Sequence, residues 1–232
     1  MPTPAPVIGD DRGSVPRSFA VYQPSDFRMD SPVPPRSYRT LFVAIAIFAL
    51  VADLASKYQV FRKLHESRTH EFLGEYDIIP GWFKFTAQFD PSEKPSEGLI
   101  RPLQLWSAPV MPYVNKGALF GFLGNHRELA NGLFALVSAF AAIAISVWVF
   151  RSSRVRLDFW LCLALGLILG GAIGNCYDRV IFHGVRDFLH FYKIDYPVFN
   201  VADCALVAGT AILVVQSFLV KEAKTGTIAS AP

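Results

Sequence analysis

Charge is the scarcest property of this 232-residue chain: charged residues make up 18% of it, against about 25% in an ordinary soluble domain. Lys and Arg number 22 against 19 Asp and Glu, a net charge of +3. The basic residues are scattered and form no stripe of the kind a phosphate backbone requires, so a nucleic-acid partner is excluded. Cysteine is scarce too. Cys162, Cys176 and Cys204 lie in or beside apolar runs. They read as small buried packing residues, not as a disulfide framework or a zinc site. His126, His183 and His190 sit in polar connections without a second ligand at i+4, so neither a metal nor a cofactor is expected. A phosphate-binding glycine loop and a nucleophile-elbow serine are also missing. No apolar core follows a basic start within the first thirty residues, so no signal peptide is read there.

What the chain has is long apolar runs. Residues 129–150 and 159–177 carry no charge, 196–220 carry one, Asp203, and 40–56 carry one, Asp53. A bilayer core of about 30 Å takes roughly 20 apolar residues as a helix. Four such runs exclude a soluble enzyme and predict an all-α membrane protein, a four-transmembrane-helix bundle. The expected spans are 40–58, 129–150, 158–177 and 197–220. Residues 1–38 are rich in proline and read as a disordered cytoplasmic tail. Residues 39–222 form the membrane domain, and 223–232 a C-terminal tail. The polar region 57–128 contains Phe83–Phe89, which alternates with period two as a half-buried strand does. Residues 90–112 hold five prolines and read as a loop. Three arginines in 151–156, with Arg36 and Arg39 before the first run, place both termini in the cytoplasm.

Ionisable and polar residues inside such runs are functional candidates. Asp53 and Lys57 are four apart, acid first, on one helix face. They make either an ion pair that anchors the helix end or a device that orients substrate. Gly166, Gly170 and Gly174 recur every fourth residue, which permits close helix approach. Beyond them stand Asn175, Asp178 and Arg179. Asp203 follows Pro197, a good first-turn proline, and would lie about 9 Å into the last helix. Asn200 shares its side. A lone carboxylate at that depth needs a proton or a partner. The partners within reach are Asp178, Asp187 and Asp195. Two carboxylates across a dry gap cannot both ionise, and the pair could share acid and base work on a water. A proton- or ion-coupled carrier using Asp53 and Asp203 as relays is the alternative, but a carrier should show duplicated halves and none is visible.

Five pieces in order then resemble one family, the lipoprotein signal peptidases (signal peptidase II), which are membrane aspartyl proteases. They are Asp53-Leu-Ala-Ser-Lys57, Asn115-Lys-Gly-Ala-Leu-Phe-Gly121, Gly171-Ala-Ile-Gly-Asn175-Cys-Tyr-Asp178-Arg179, Gly184-Val-Arg-Asp187-Phe188 and Phe199-Asn200-Val-Ala202-Asp203. The resemblance spans about 40–220. It implies that Asp187 and Asp203 are the catalytic pair. Asp53, Lys57, Asn115, Gly171, Asn175, Asp178, Arg179, Asn200 and Ala202 then support the site or touch substrate, without metal or cofactor. It also implies a small extracytoplasmic β-sheet cradle, drawn from 80–120, beside the bundle. The partners implied are the bilayer and the signal peptides of prolipoproteins whose cysteine carries diacylglycerol. The bond cut lies just before that cysteine, by a monomer in the bacterial inner membrane with its site near the outer face. Two departures stand out. Leu119 replaces the family's usual alanine, and 90–112 reads as an insertion.

Overall fold

An apolar run in a bilayer must satisfy its own backbone hydrogen bonds, and the helix does this within one segment. A computed structural model describes residues 38–68, 70–117, 127–152 and 158–229. In chain order the elements are α1 (Arg39–Ser67), β1 (Leu73–Ile79), β2 (Phe83–Asp90), α2 (Arg101–Ser107), β3 (Met111–Pro112), α3 (Arg127–Arg151), α4 (Phe159–Ile181), β4 (Leu189–His190) and α5 (Val201–Ala229). Among the described residues four helices are long and apolar enough to cross a membrane: α1, α3, α4 and the first part of α5. Residues 1–37, Leu119, His126, Arg154 and Arg156 lie outside the described residues, and so do the expectations placed on them.

α4 is the central helix and packs against α1, α3 and α5. Its glycines explain how. A Cβ at Gly170 would stand 2.6 Å from the Ala46 carbonyl of α1, and one at Gly171 would stand 2.5 Å from the Ala202 carbonyl of α5. Both neighbours therefore lie on the α4 backbone itself, the close packing that small residues permit in membranes. Asp158 caps α4 by accepting the Leu161 N–H at 3.0 Å. Phe42 and Ala46 of α1, Val149 of α3, and Cys162, Leu165 and Leu169 of α4 form one core cluster.

The strands make a small antiparallel sheet. β1 and β2 form a hairpin turning at Pro80-Gly81, where Gly81 has φ +80. The far side of β2 takes β4 near its start, with Phe85 opposite Leu189, and β3 near its end, with Phe89 opposite Pro112. Ala87 and Phe89 are buried against Phe61 and Leu64 of α1, with Ala108 and Phe188 completing the cluster. A second cluster joins Val114 to Ile181 and Phe182.

Several expectations are corrected. α1 does not end near residue 58 but runs to Ser67, because Lys57, Phe61 and Leu64 keep helical spacing and bury themselves in the site and under the sheet. The stretch 90–112 is not a loop. It holds a 3₁₀ turn, α2 and β3, with Gln104, Ser107, Ala108 and Met111 buried. α4 runs to Ile181, so Asp178 belongs to its last turns and not to the following connection. α5 starts at Val201, not at Pro197. Residues before it are held extended by the Leu189–Phe199 bridge. Asn200 and Asp203 then form a reciprocal cap. The Asp203 N–H donates to Asn200 Oδ1 at 3.0 Å and the Asn200 N–H to Asp203 Oδ2 at 3.2 Å. Asp203 thus lies in the first turn of α5, not 9 Å inside it. α5 continues to Ala229, through most of the stretch expected as a tail. Cys204 is exposed on α5, not buried.

Candidate active site

The middle of α1, the last turns of α4 and the connection into α5 meet at one place. Asp53 and Lys57 are both fully buried there. Lys57 Nζ lies 2.8 Å from Asp53 Oδ2 and 3.3 Å from Asp178 Oδ2. It also donates to Asn175 Oδ1 at 3.3 Å. The second oxygen of Asp53 accepts the Ala202 N–H at 2.9 Å. The pair is therefore no anchor at a helix end. It ties α1 to α4 and to the first turn of α5. Gly174 is what allows this, since a Cβ there would meet Asp53 Oδ2 at 2.5 Å. Gly171 does the same for Ala202, which is fully buried.

Asp178 is committed elsewhere. Its carboxylate takes Arg186 Nη2 at 2.7 Å and the Arg186 backbone N–H at 2.9 Å. Asp195 is exposed in a left-handed turn. Of the three acids within reach of Asp203 by sequence, Asp187 is the one that joins it.

Asn200 links the two. Fully buried, it donates from Nδ2 to Asp187 Oδ1 at 2.7 Å and from its backbone to Asp203 Oδ2 at 3.2 Å. Asn175 Nδ2 donates to Asp203 Oδ1 at 2.8 Å. Asn115 reaches Asp187 because it bridges Val185, with backbone bonds of 2.8 and 2.9 Å. Its Nδ2 then meets Asp187 Oδ2 at 3.1 Å. Burial pushes the Asp187 carboxyl up to about 6; the two asparagine donors pull the other way, and the Asp203 charge adds to the rise. Arg179 lies in the field of both aspartates. Its Nη1 donates to the Asn175 carbonyl at 3.2 Å, and its buried Nε has no hydrogen-bond partner among the described residues.

A cavity of about 260 Å³ opens beside Asp187, lined by Thr86, Gln88, Tyr113, Asn115, Pro197 and Val198. A larger one of about 680 Å³ lies between α1 and the sheet and touches none of these carboxylates, so chemistry points to the smaller. Among the described residues no three His, Cys, Asp or Glu side chains gather as a metal cage. Sequence reasoning missed Arg186, which reads as one more charge in a polar connection, and Ser107, placed in an assumed loop. The one clue to Arg186 is its position next to Asp187.

A family model described as "Signal peptidase (SPase) II" matches residues 103–219. The lipoprotein signal peptidase of Pseudomonas putida is 30% identical over 199 residues, covering 84% of this chain and 97% of that protein. The one of Rhodopirellula baltica is 35% identical over 198 residues, covering 79% of this chain and 74% of the relative. A solved structure described as a bacterial membrane enzyme, obtained by the in meso method, shares the fold. Its TM-score is 0.56 at 21% identity, over 78% of this chain and 95% of that one.

Proposed function

The chain belongs to the signal peptidase II family, and from that premise we propose that Asp187 and Asp203 are the catalytic pair of a membrane aspartic endopeptidase. Its substrate is a prolipoprotein carrying a diacylglyceryl cysteine, and it cuts just before that residue. Membership in a protease family sets the carrier alternative aside. The observation that supports the pair best is Asn200, one buried residue that hydrogen-bonds both carboxylates. Two carboxyl groups held on one asparagine cannot both stay ionised, and the pair keeps a proton.

Asp187 holds that proton at rest. Burial and the neighbouring charge both favour its neutral form, and the lift to about 6 expresses this. Asp203 is the partner, with an amide and a backbone N–H donating to its oxygens. A water between them loses a proton to Asp203 while its oxygen attacks the scissile carbonyl carbon. Asp187 gives its proton to the carbonyl oxygen. The tetrahedral diol then collapses. The C–N bond breaks, Asp203 passes its proton to the leaving amine, and Asp187 recovers its own from the diol hydroxyl. One water is consumed, and a carboxylic acid and an amine appear.

Asn115 and Asn200 orient Asp187, while Asn175 orients Asp203. Asp53, Lys57 and Asp178 fix the three helices around them. The cavity beside Asp187, with the edge of β2 at Thr86 and Gln88, takes the extended peptide. Both termini lie in the cytoplasm and the site lies near the outer face, so the substrate's acyl chains stay in the bilayer during cleavage.

The test is cleavage of a diacylglyceryl-modified prolipoprotein by the purified protein, beside the unmodified precursor. The modified substrate should be cut just before the lipidated cysteine. Asp187→Asn and Asp203→Asn should each lower the rate by about 10²–10⁴-fold or more. Full activity in either variant would remove that residue from the pair.

A further inference from the structure

Arg186 is the largest fully buried side chain in the described structure, and the mechanism above does not use it. It is placed with care. Its backbone N–H and its guanidinium both bind Asp178, with Nη2 at 2.7 Å and Nε at 3.3 Å. Its Nη1 donates to Ser107 Oγ of α2 at 3.1 Å. The guanidinium carbon lies 3.8 Å from the Phe182 ring centroid and 4.3 Å from that of Tyr58, two rings set edge to face beside it.

Asp178 therefore grips residue 186 by main chain and side chain together. The next residue is Asp187. On one side of it Val185 is bridged to Asn115, and on the other the Phe188 carbonyl accepts the Thr86 N–H at 2.9 Å. The backbone carrying Asp187 is held at Val185 and Arg186 before it and at Phe188 after it. The same Asp178 touches Lys57, which reaches Asn175, which holds Asp203. One chain of contacts thus runs from Ser107 through Arg186 and Asp178 to both aspartates.

We propose that Arg186 is a positioning residue for the catalytic pair, and that α2 serves the reaction by locking Arg186 through Ser107. This rests on the reading that Asp187 and Asp203 do the chemistry. A guanidinium suits the task because its planar fork binds carboxylate and hydroxyl at fixed angles while it rests against aromatic rings. A lysine keeps the charge but cannot make the fork. Loosening the fork lets the Asp187 carboxyl move relative to Asp203, and small displacements at a reacting centre are costly.

The experiment compares wild type, Ser107→Ala, Ser107→Thr and Arg186→Lys on the lipidated precursor across pH, with thermal melting of each purified protein. Ser107→Ala should lower kcat about tenfold and Arg186→Lys about ten- to hundredfold, with KM within about twofold of wild type. The alkaline limb of the pH profile should shift or broaden in both. Ser107→Thr keeps the hydroxyl and should restore the wild-type profile. The proposal is overturned if kcat per folded protein and the pH limb stay unchanged in Ser107→Ala and Arg186→Lys, or if Ser107→Thr fails like alanine. Should Arg186→Lys not fold, the two Ser107 variants decide alone. Failure of the aspartate reading would look different: Asp187→Asn would then retain activity whatever Arg186 does.

Discussion

Replacing Asn115 by alanine should move the upper pH limit of cleavage upward. Asn115 Nδ2 donates to Asp187 Oδ2 at 3.1 Å, a bond that favours the ionised carboxylate. Hydrogen bonds to charged groups are worth about 1.5–3 kcal/mol; this one lies on the exposed side of a mostly buried carboxyl, where solvent screens it, so about 1 kcal/mol applies. One pKa unit corresponds to about 1.36 kcal/mol, so the loss amounts to roughly 0.7 of a unit. In the wild type Asp187 loses its proton near about 6. The activity that depends on a protonated Asp187 therefore declines above that pH, and in Asn115→Ala the decline should begin near about 7. The assay is kcat/KM on a lipidated fluorogenic peptide in one detergent and salt condition, from about pH 4.5 to 8.5, which reports the free enzyme. The height of the profile falls if Asn115 also touches substrate, but the position of the limb is independent of height. A limb that stays in place or moves down would refute the assignment of the limb to Asp187 and of Asn115 as its donor.

The same carboxyl predicts a trade between stability and activity. Its folded value of about 6 lies above the ordinary 3.8, so the ionised form is disfavoured by folding, and stability is lost as pH rises from about 4 to about 6. Asp187→Asn should thus melt higher than wild type at neutral pH and equal to it below about pH 4; a lower neutral melting point would contradict the argument. Gly174→Ala forces a methyl against Asp53 Oδ2 and should cost about 1–3 kcal/mol in thermal unfolding, with unchanged melting as the refuting outcome. A membrane-impermeant maleimide applied from outside should label Lys94→Cys and miss Arg151→Cys, and the reverse would invert the topology. Excising 91–110 removes Ser107 and the buried Ala108, so protease resistance and cleavage should both drop; a fully active deletion would show that α2 is dispensable.

The parts legible from sequence share one trait: their signal is local and periodic. Long apolar runs give the four helices because the bilayer admits little else, and the alternation at Phe83–Phe89 gives β2. The glycine spacing on α4 predicts close packing, and the structure supplies the partners, Ala46 and Ala202. What was not legible depends on tertiary context. The C-terminal part of α1 carries several charges, yet Phe61 and Leu64 hold it under a sheet whose pairing cannot be read locally. α2 is seven residues long and buries Gln104 and Ser107, polar residues that are tolerable there because Ser96 and Ile181 satisfy the first and Arg186 the second. The start of α5 was misplaced because Pro197 suggested an opening turn, whereas Asn200 and Asp203 form the cap. For Arg186 the sequence offers only its place beside Asp187, since burial of an arginine is decided by distant partners.

The ion pairs around Lys57 and Arg186 also settle the electroneutrality of the site. Asp53 and Asp178 cancel Lys57 and Arg186, side chains that are all fully buried. Three ionisable groups remain at the centre, Asp187, Asp203 and Arg179, the last in the field of the other two. One proton on the aspartates brings the sum to zero, whereas none or two leaves a unit charge at the edge of hydrocarbon, where solvation is poor. The medium therefore favours the singly protonated state that the proposed hydrolysis uses. Hydrolysis as proposed releases a carboxylic acid and an amine and returns Asp187 and Asp203 to their starting states. The sum at the centre therefore stays at zero through the cycle, and the site resets without drawing an ion from either side of the membrane.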